Sequence, residues 1–534
     1  MKLNSVLGCL LFVFVGYAQQ HSKVWQADNE DGTYTNPILH SDFSDPDVVR
    51  VGKDYYMTAS SFNCVPGLPI LHSNDLVNWQ LVNYALKEQV PFEVFNVPQH
   101  GNGVWAPCIR YYKGEYYIFY PDPDFGIYMI KTKNPEGDWS KPLLIKPGKG
   151  LIDPTPLWDD DGKAYLAYAF AGSRAQIKSM LMVCSMKPDA TAVLNDDVMV
   201  FDGHETHPTI EGPKFYKRNG YYYLFAPAGG VATGWQEVLR SKNVWGPYEY
   251  KTVLEQGNTT INGPHQGAWV DTVTGEDWFV HFQDKGAYGR IVHLQPMTWK
   301  NDWPIIGKDQ GNAIGVPVKT HPKPNVGTTY SIKTPPDSDE FNGITTGLQW
   351  QWHANPKLKW GFPTSDGHYK LFCKPRPDNA ESLWDIPFLF LQKWPAEKFT
   401  ATTKVSFTAR ENGEHFGFLI MGRKYAYLKV YKENNKLFAR LATCSDAEQG
   451  EEEVLSKPIA VKSGELFLKI QVENGGVCQF YLSENGKRFN QIGDSFSAEE
   501  GKWIGAKIGY FAMREGVTND SGSLAIDYIR FTND

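Results

Sequence analysis

The sequence predicts an all-β protein in which a five-bladed β-propeller is followed by a β-sandwich (jelly-roll) domain. Three observations support this prediction. A strand–turn–strand plan repeats along roughly the first 300 residues, helical periodicity is nearly absent, and strand signals resume without that plan after a proline-rich stretch. At 534 residues the chain is also too long for one ordinary domain.

Each copy of the repeat places a small or acidic residue beside Pro or Gly, followed by a short apolar strand, a turn and an aromatic-rich strand. Repeats of about 45–60 residues with several strands each are typical of propeller blades. Five copies therefore predict five blades over residues 32–310. The copies begin at Asp45, Ala106, Asp153, Glu211 and His265.

Equivalent positions at the start of the inner strands lie on a ring around a propeller's axis. We therefore expect these five residues to converge at one end of the central channel, with Asp45, Asp153 and Glu211 close together. Crowded carboxyls raise one another's pKa, and a protonated carboxyl facing an ionised one is typical of glycoside hydrolysis. Taken singly, Asp45 and Asp153 are equally suited to turns, since each precedes Pro.

The chain divides into four segments. Residues 1–18 are interpreted as a secretory signal peptide, because Lys2 precedes an apolar core and a small-x-small cleavage site. Residues 19–310 form the predicted propeller, 311–336 a proline-rich linker, and 337–534 the sandwich. The signal predicts a periplasmic protein if the host is Gram-negative, and an extracellular one otherwise.

Composition and charge exclude several classes of partner. The net charge of −7 argues against nucleic acid or an anionic membrane as the main partner. No apolar run is long enough to span a bilayer, so membrane insertion is not expected. The cysteines beyond the signal lack zinc-ligand spacing and are expected to be small buried residues. The oligomeric state stays open.

Taken in order, the motifs at the predicted blade starts resemble those of glycoside hydrolase family 43, whose members are five-bladed propellers that remove pentoses with inversion. The resemblance covers nearly the whole chain after the signal. Its C-terminal part is similar to the concanavalin-type sandwich of family 43 β-xylosidases and α-L-arabinofuranosidases. The matching motifs are Asn36-Pro37-Ile38-Leu39, Ser44-Asp45-Pro46-Asp47, Val104-Trp105-Ala106-Pro107, Leu151-Ile152-Asp153-Pro154 and Ile210-Glu211-Gly212-Pro213.

The resemblance implies a role for each carboxylate. Asp45 would be the general base that deprotonates the attacking water, and Glu211 the general acid that protonates the leaving oxygen. Asp153 would orient Glu211 and keep its pKa high. Inversion implies roughly 6.5–9.5 Å between the base and acid carboxyls, which leaves room for the water.

The resemblance also implies binding residues. Arg290 matches an arginine of the sugar pocket, while Phe62 and Trp105 are aromatic residues suited to stack on a sugar face, although each is also compatible with a core position. His265 matches a channel histidine that binds a central ion or water. Glu340 and Asp527 resemble acidic positions that hold structural calcium in related sandwiches, with solvated or capping carboxylates as the alternative. The chemistry itself requires no cofactor.

The expected function is an exo-acting, inverting glycosidase that releases terminal α-L-arabinofuranosyl residues from hemicellulose oligosaccharides of the arabinoxylan or xyloglucan type. The preference for arabinose rests on two loops, 171–178 and 226–232, which are interpreted as suited to branched substrates. A β-D-xylosidase acting on xylo-oligosaccharides is the first alternative. A non-catalytic carbohydrate-binding protein is the second.

Overall fold

The computed structural model describes residues 21–533, so the predicted signal peptide lies outside the described residues. Almost all regular structure in this range is β-strand, which confirms the all-β prediction. The exceptions are one helical turn, α1 (Gly172–Ala175), and three 3-10 turns (Gly286–Tyr288, Leu358–Trp360 and Leu383–Asp385). None of the described helical segments has the length and apolarity needed to cross a bilayer.

Five consecutive antiparallel units of four strands form the predicted blades, and a short strand β1 (Thr33–Thr35) precedes them. Blade 1 contains β2 (Asp47–Val51), β3 (Asp54–Thr58), β4 (Gly67–Ser73) and β5 (Gln80–Leu86), and blade 2 contains β6 (Cys108–Tyr112), β7 (Glu115–Asp122), β8 (Gly126–Thr132) and β9 (Leu143–Pro147). Blade 3 contains β10 (Leu151–Trp158), β11 (Ala164–Phe170), β12 (Met180–Met186) and β13 (Val198–Asp202). Blade 4 contains β14 (Lys214–Arg218), β15 (Tyr221–Ala228), β16 (Trp235–Ser241) and β17 (Glu249–Leu254), and blade 5 contains β18 (His265–Asp271), β19 (Asp277–Asp284), β20 (Arg290–Lys300) and β21 (Trp303–Ile306).

The inner hairpin of blade 4 shows how the repeat produces a blade. Strands β14 and β15 pair as far as Arg218 and Tyr221, which leaves Asn219-Gly220 as a two-residue turn. Both turn residues have positive φ, 50° and 75°. Asn-Gly turns of this kind match the twist of the flanking strands.

Apolar side chains fill the spaces between neighbouring blades, with a separate buried cluster at each of the five junctions. The ring closes between blades 5 and 1. There, Leu39 and Val292 exchange backbone hydrogen bonds, and the Asn36 side chain bonds both the N–H and the carbonyl of Leu294 at 2.8 Å. Residues that precede the first blade therefore close the propeller against the last one.

The segment predicted as a linker lies along the propeller. Strands β22 (Lys308–Asp309) and β23 (Gly315–Val316) extend the sheet of blade 4, and β24 (Thr320–Pro322) pairs with β1. Val326 belongs to the apolar cluster between blades 5 and 1.

The C-terminal domain consists of two eight-stranded sheets, which confirms the predicted sandwich. One sheet contains β25 (Gly361–Pro363), β26 (Tyr369–Phe372), β29 (Phe399–Thr408), β35 (Glu465–Glu473), β36 (Val477–Ser483), β37 (Asn490–Gln491), β38 (Phe496–Ser497) and β40 (Ser523–Thr532). The other contains β27 (Lys374–Pro375), β28 (Phe390–Lys393), β30 (His415–Met421), β31 (Tyr425–Glu433), β32 (Lys436–Cys444), β33 (Val454–Leu455), β34 (Ile459–Val461) and β39 (Lys507–Arg514). Strands β31 and β32 form a hairpin whose turn residues, Asn434 and Asn435, both have positive φ.

The two domains share a continuous interface. Val65 of the propeller and Trp352 of the second domain exchange backbone hydrogen bonds of 2.9 and 2.7 Å, and the Ala506 N–H donates to the Ala287 carbonyl at 2.7 Å. Ala287 and Tyr288 belong to the same buried cluster as the sandwich core. The six described cysteines are all buried and unpaired, as expected.

Candidate active site

Backbone bulges at the start of the inner strands place the functional side chains, and they correct the predicted alignment of the repeat. Measured by pairing to the next strand, the residues in register are Ser44, Trp105, Ile152, Glu211 and His265. The next position holds Asp45, Ala106, Asp153, Gly212 and Gln266. Glu211 and His265 therefore lie one position earlier than Asp45 and Asp153. The predicted equivalence of all five was wrong, because proline directly follows Asp45, Ala106 and Asp153, whereas Gly212 precedes Pro213 and Gln266 precedes Gly267.

Asp45 and Asp153 occupy left-handed backbone positions, with φ of 55° and 56°. Such a conformation costs a non-glycine residue about 1–2 kcal/mol, and strain of this kind concentrates at functional sites. In blade 4 the corresponding position is Gly212, at φ 60°. Its backbone N–H donates to Asp153 Oδ2 at 2.7 Å, so a glycine here links the two blades that carry Asp153 and Glu211.

Asp45 is surrounded by donors. Its Oδ2 accepts hydrogen bonds from the hydroxyls of Ser44 at 2.7 Å and Ser60 at 2.5 Å. Arg290 Nη1 lies 3.4 Å from both carboxylate oxygens and donates to Ser44 Oγ at 2.8 Å. The two hydroxyls occupy Oδ2, which leaves Oδ1 as the oxygen with fewer donors.

Asp153 is 3% exposed, and its environment favours the neutral carboxyl. Burial, followed by the charges of Glu211 and Asp45, raises the pKa of Asp153 to about 8. The three carboxyls therefore do not all ionise at neutral pH, as their crowding predicts.

Glu211 is the most exposed of the three carboxylates. Its side chain is 25% exposed, compared with 6% for Asp45. The buried His265 contacts it, with Nε2 3.2 Å from Glu211 Oε1. His265 therefore supports Glu211 from behind, and Gln266, the next residue, lines the cavity.

The cavity has a volume of about 620 Å³ and lies at the mouth where the inner strands begin. All three carboxylates line it, together with Arg290, Phe62 and Trp105. Phe62 and Trp105 form one corner, with ring centroids 6.4 Å apart. Residues of the 171–178 loop and His204 complete the rim.

Sequence reasoning missed the third aromatic wall, Trp503, which belongs to the sandwich domain. Its ring lies 6.3 Å from that of Trp105, and the Arg290 guanidinium carbon is 5.6 Å from its centroid. Trp503 is 45% exposed and has a φ of 65°. The propeller repeat could not reveal it, because it comes from the other domain.

Buried polar side chains fill the propeller axis below Asp45, Asp153 and Glu211. We call this group, Asp47, Arg110 and Lys214, the polar plug. Asp47 accepts hydrogen bonds of 2.6 Å from Arg110 Nη1 and from the Ile109 N–H. Lys214 lies 3.9 Å from the same carboxylate and donates to the Pro107 carbonyl at 2.9 Å. Asp47 and Lys214 have no exposed surface. The plug therefore closes the bottom of the cavity.

The two carboxylates predicted to bind calcium each lie in an ion pair. Glu340 pairs with Arg530 at 2.7 and 2.8 Å, and Asp527 pairs with Lys404 at 2.8 Å. Within residues 21–533, no three His, Cys, Asp or Glu side chains are arranged to hold an ion. Calcium binding at Glu340 and Asp527 and ion binding at His265 stay predictions, and no catalytic step is derived through a metal.

A cavity lined by one carboxyl among hydrogen-bond donors, a second carboxyl that faces solvent and a third whose pKa is raised is typical of a glycoside hydrolase. The chain belongs to that class and, within it, to the glycosyl hydrolases of family 43, whose profile matches residues 34–304. Residues 338–532 match the β-xylosidase C-terminal concanavalin A-like domain.

Several named relatives align over most of the chain. A Xylanibacter ruminicola protein provisionally named a β-xylosidase is 37% identical and aligns over 92% of this chain and 88% of its own. A Formosa agariphila β-xylosidase is 29% identical, with coverages of 95% and 91%. A Bacteroides ovatus non-reducing end α-L-arabinofuranosidase is 30% identical, with coverages of 77% and 77%. The crystal structure of a family 43 protein from Bacillus licheniformis superposes with a TM-score of 0.81 at 25% identity, over 94% of this chain and 100% of that one.

Proposed function

We propose that this protein is an exo-acting, inverting β-D-xylosidase that removes single terminal xylose units from xylo-oligosaccharides. The observation that carries the hydrolase reaction is the carboxylate triad at a closed cavity. The choice of xylose follows the relatives. The two named as β-xylosidases align over 92% and 95% of this chain, whereas the arabinofuranosidase aligns over 77%.

This choice reverses the preference drawn from the sequence. The 171–178 loop does line the cavity, as does part of the other loop, through Gly230 and Val231. Neither placement separates the two sugars, because arabinofuranose and xylose can present similar hydroxyl patterns to these residues. The loop argument therefore carries no weight against the relatives.

Asp45 acts as the general base in this mechanism. The two serine hydroxyls hold its Oδ2, and Arg290 keeps positive charge beside it. A water molecule bound at Oδ1 would attack the anomeric carbon and lose one proton to Asp45. Proton transfer of this kind contributes about 10²–10⁴-fold to the rate.

Glu211 delivers the other proton to the glycosidic oxygen as the bond from that oxygen to the anomeric carbon breaks. Glu211 is the most exposed of the three carboxyls and lines the cavity, where solvent can return its proton after each turnover, as Asp45 releases the proton taken from water. Attack and departure on opposite faces invert the anomeric centre, so a β-xyloside yields α-xylose and a shortened oligosaccharide. Because the plug and Trp503 close the cavity, it suits a chain end.

An α-L-arabinofuranosidase is the second candidate, favoured by the 30% identity to the Bacteroides ovatus enzyme. The test compares kcat/KM on nitrophenyl β-D-xyloside and nitrophenyl α-L-arabinofuranoside, with xylobiose as the natural linkage. We expect the xyloside to be preferred by at least tenfold. Preference for the arabinofuranoside would establish the second candidate. Binding without turnover of any substrate would identify a carbohydrate-binding protein.

The stereochemical course is a separate measurement. Proton NMR of the first sugar released from the β-xyloside should show α-xylose. Initial release of β-xylose would exclude Asp45 as a base acting through water.

Periplasmic localisation through the predicted signal peptide also belongs to the proposal. Expression of the full chain in a Gram-negative host, followed by osmotic release, should recover the activity in the periplasmic fraction. Retention of the activity with the cytoplasmic marker would contradict it.

A further inference from the structure

Asp42 lies three residues before Asp45, at the boundary between the two domains. It is 4% exposed and does not line the cavity. Its Oδ1 accepts the backbone N–H of Arg290 at 2.9 Å, and its Oδ2 accepts the backbone N–H of Gly505 at 3.0 Å. One carboxylate therefore binds a propeller strand and a sandwich loop at the same time.

The backbone N–H groups of Arg290 and Gly505 both belong to segments that contribute a side chain to the cavity. Arg290 carries the guanidinium that contacts Ser44 and Asp45. Gly505 follows Trp503 by two residues, and Trp503 is the only cavity residue that the sandwich contributes among the described residues. Asp42 thus hydrogen-bonds the backbone of Arg290 and, at Gly505, the backbone of the loop that carries Trp503. The side chains of Arg290 and Trp503 both line the cavity.

The approach of the two backbones leaves no space for side chains. A Cβ added to Gly289 would lie 2.6 Å from Asp42 Oδ1, and a Cβ added to Gly505 would lie 2.8 Å from the Tyr288 carbonyl. Glycine at both positions allows the carboxylate to reach both N–H groups. Such close approach is a common reason for glycine at a functional position.

Trp503 needs external support, since a left-handed non-glycine residue is strained by about 1–2 kcal/mol. The loop has one internal hydrogen bond, from the Gly501 N–H to the Ile504 carbonyl at 2.8 Å. The bond from Gly505 to Asp42 is the next restraint after Trp503. Lys393 Nζ lies 3.7 Å from Asp42 Oδ2, so the buried charge is paired.

From this geometry we propose that Asp42 is a positioning residue that holds Arg290 and the Trp503 loop in register and so couples the sandwich domain to the substrate cavity. The proposal rests on the proposed function for its kinetic consequence. The structural restraint itself is independent of any activity.

The test uses Asp42→Asn in the full-length protein. The asparagine oxygen can accept one amide, but its NH₂ group then faces the second N–H, which loses its acceptor. Hydrogen–deuterium exchange read by mass spectrometry should show faster exchange in the peptides that contain Arg290 and Gly505. On the preferred pentoside, kcat/KM should fall at least tenfold.

A double-mutant cycle with Trp503→Ala distinguishes positioning from general loss of structure. The loss caused by Asp42→Asn should be at least threefold smaller when Trp503 is already alanine. Gly505→Ala should reproduce the faster exchange, and it replaces Asp42→Asn if that variant does not fold. Glu397→Gln is the matched control, because it removes another ion pair across the same interface, Lys285–Glu397 at 2.9 Å, and should change neither readout.

Unchanged exchange in both peptides, or fully additive losses in the cycle, would overturn the proposal. If the wild-type protein hydrolyses no pentoside, the proposed function fails, and the exchange measurement still decides whether Asp42 restrains the two segments.

Discussion

The propeller and the sandwich use the same antiparallel strands, yet they bury different chemistry. At the propeller axis Asp45, Asp47, Asp153 and Lys214 are buried beside one another. The sandwich fills its interior mainly with apolar side chains, and its acidic residues Glu340 and Asp527 stay near the surface beside basic partners. Two packed sheets leave no channel between them, whereas a ring of blades surrounds a central channel where the inner strands begin. Polar side chains in that channel can form hydrogen bonds and ion pairs with one another, and one end of the channel is open to solvent.

The sandwich nevertheless contributes one ring to the site. Trp503 reaches the cavity because its loop contacts the propeller through Gly505. The propeller thus carries the carboxylates proposed to break the glycosidic bond, and the sandwich supplies one aromatic residue that lines the cavity. The following variants test that division.

The largest effects are expected at the propeller carboxylates. Glu211→Gln should reduce kcat on xylobiose by roughly 10²–10⁴-fold, because the leaving oxygen then departs without a proton. The same variant should lose far less on a dinitrophenyl xyloside, whose leaving group needs no proton. Asp45→Asn should lose activity to a similar extent on both substrates. Equal leaving-group dependence in the two variants would contradict the assigned roles.

Trp503→Ala should have an intermediate effect, about a tenfold rise in KM with little change in kcat, because a stacking wall binds the substrate and its transition state alike. Trp503→Phe should restore most of the affinity. Leu358→Ala, at an 86% exposed position of the C-terminal domain, is the control and should match wild type. A loss in kcat alone would place Trp503 in the chemical step and break the division.

Asp153→Asn tests whether the Asp153 carboxyl is held neutral, through the pH dependence of the free energy of unfolding. The pKa of Asp153 is raised by burial and by its neighbours to about 8, so the folded state binds a proton that the unfolded state releases above pH 4. The stability from this group is present at pH 4 and is lost as pH rises toward 8. In urea titrations the free energy of unfolding of wild type should therefore fall between pH 5 and 8 relative to that of Asp153→Asn. Parallel pH profiles would show that the carboxyl is not held neutral.

The smallest effects are expected in the sandwich. Glu340→Gln and Asp527→Asn each remove an exposed ion pair, which contributes about 0–1 kcal/mol. Activity should be unchanged, and millimolar calcium should not alter the Tm of wild type, because Arg530 and Lys404 already neutralise these carboxylates. A calcium-dependent rise in Tm that either variant abolishes would restore the predicted calcium site.

Local signals predicted the blades and hairpins well, because Asn219-Gly220 and Asn434-Asn435 impose their turns independently of the rest of the chain. The offset of Glu211 has a local signal that the repeat alignment overlooked. Proline directly follows Asp45 and Asp153, whereas Gly212 separates Glu211 from Pro213, and strand pairing confirms that Gly212 is the equivalent of the two aspartates.

Other features depend on contacts between distant residues. Glu340 meets Arg530, which is 190 positions away, so nothing in its local sequence marks it as an ion-pair partner. Trp503 lies outside the repeat that located the carboxylates. Its only local signal is the pair of glycines around it, Gly501 and Gly505, which is too common to identify a site.

The buried polar plug at Asp47 and Lys214 has a kinetic consequence for the proposed xylosidase reaction. Under that proposal, xylose released above the plug would leave by the route through which the next oligosaccharide enters, after the shortened chain has moved away. Free xylose should therefore compete with substrate, and turnover should slow as product accumulates even while most of the substrate remains. In a hemicellulose digest, the rate at which xylose is removed from the medium would then set the pace of the enzyme.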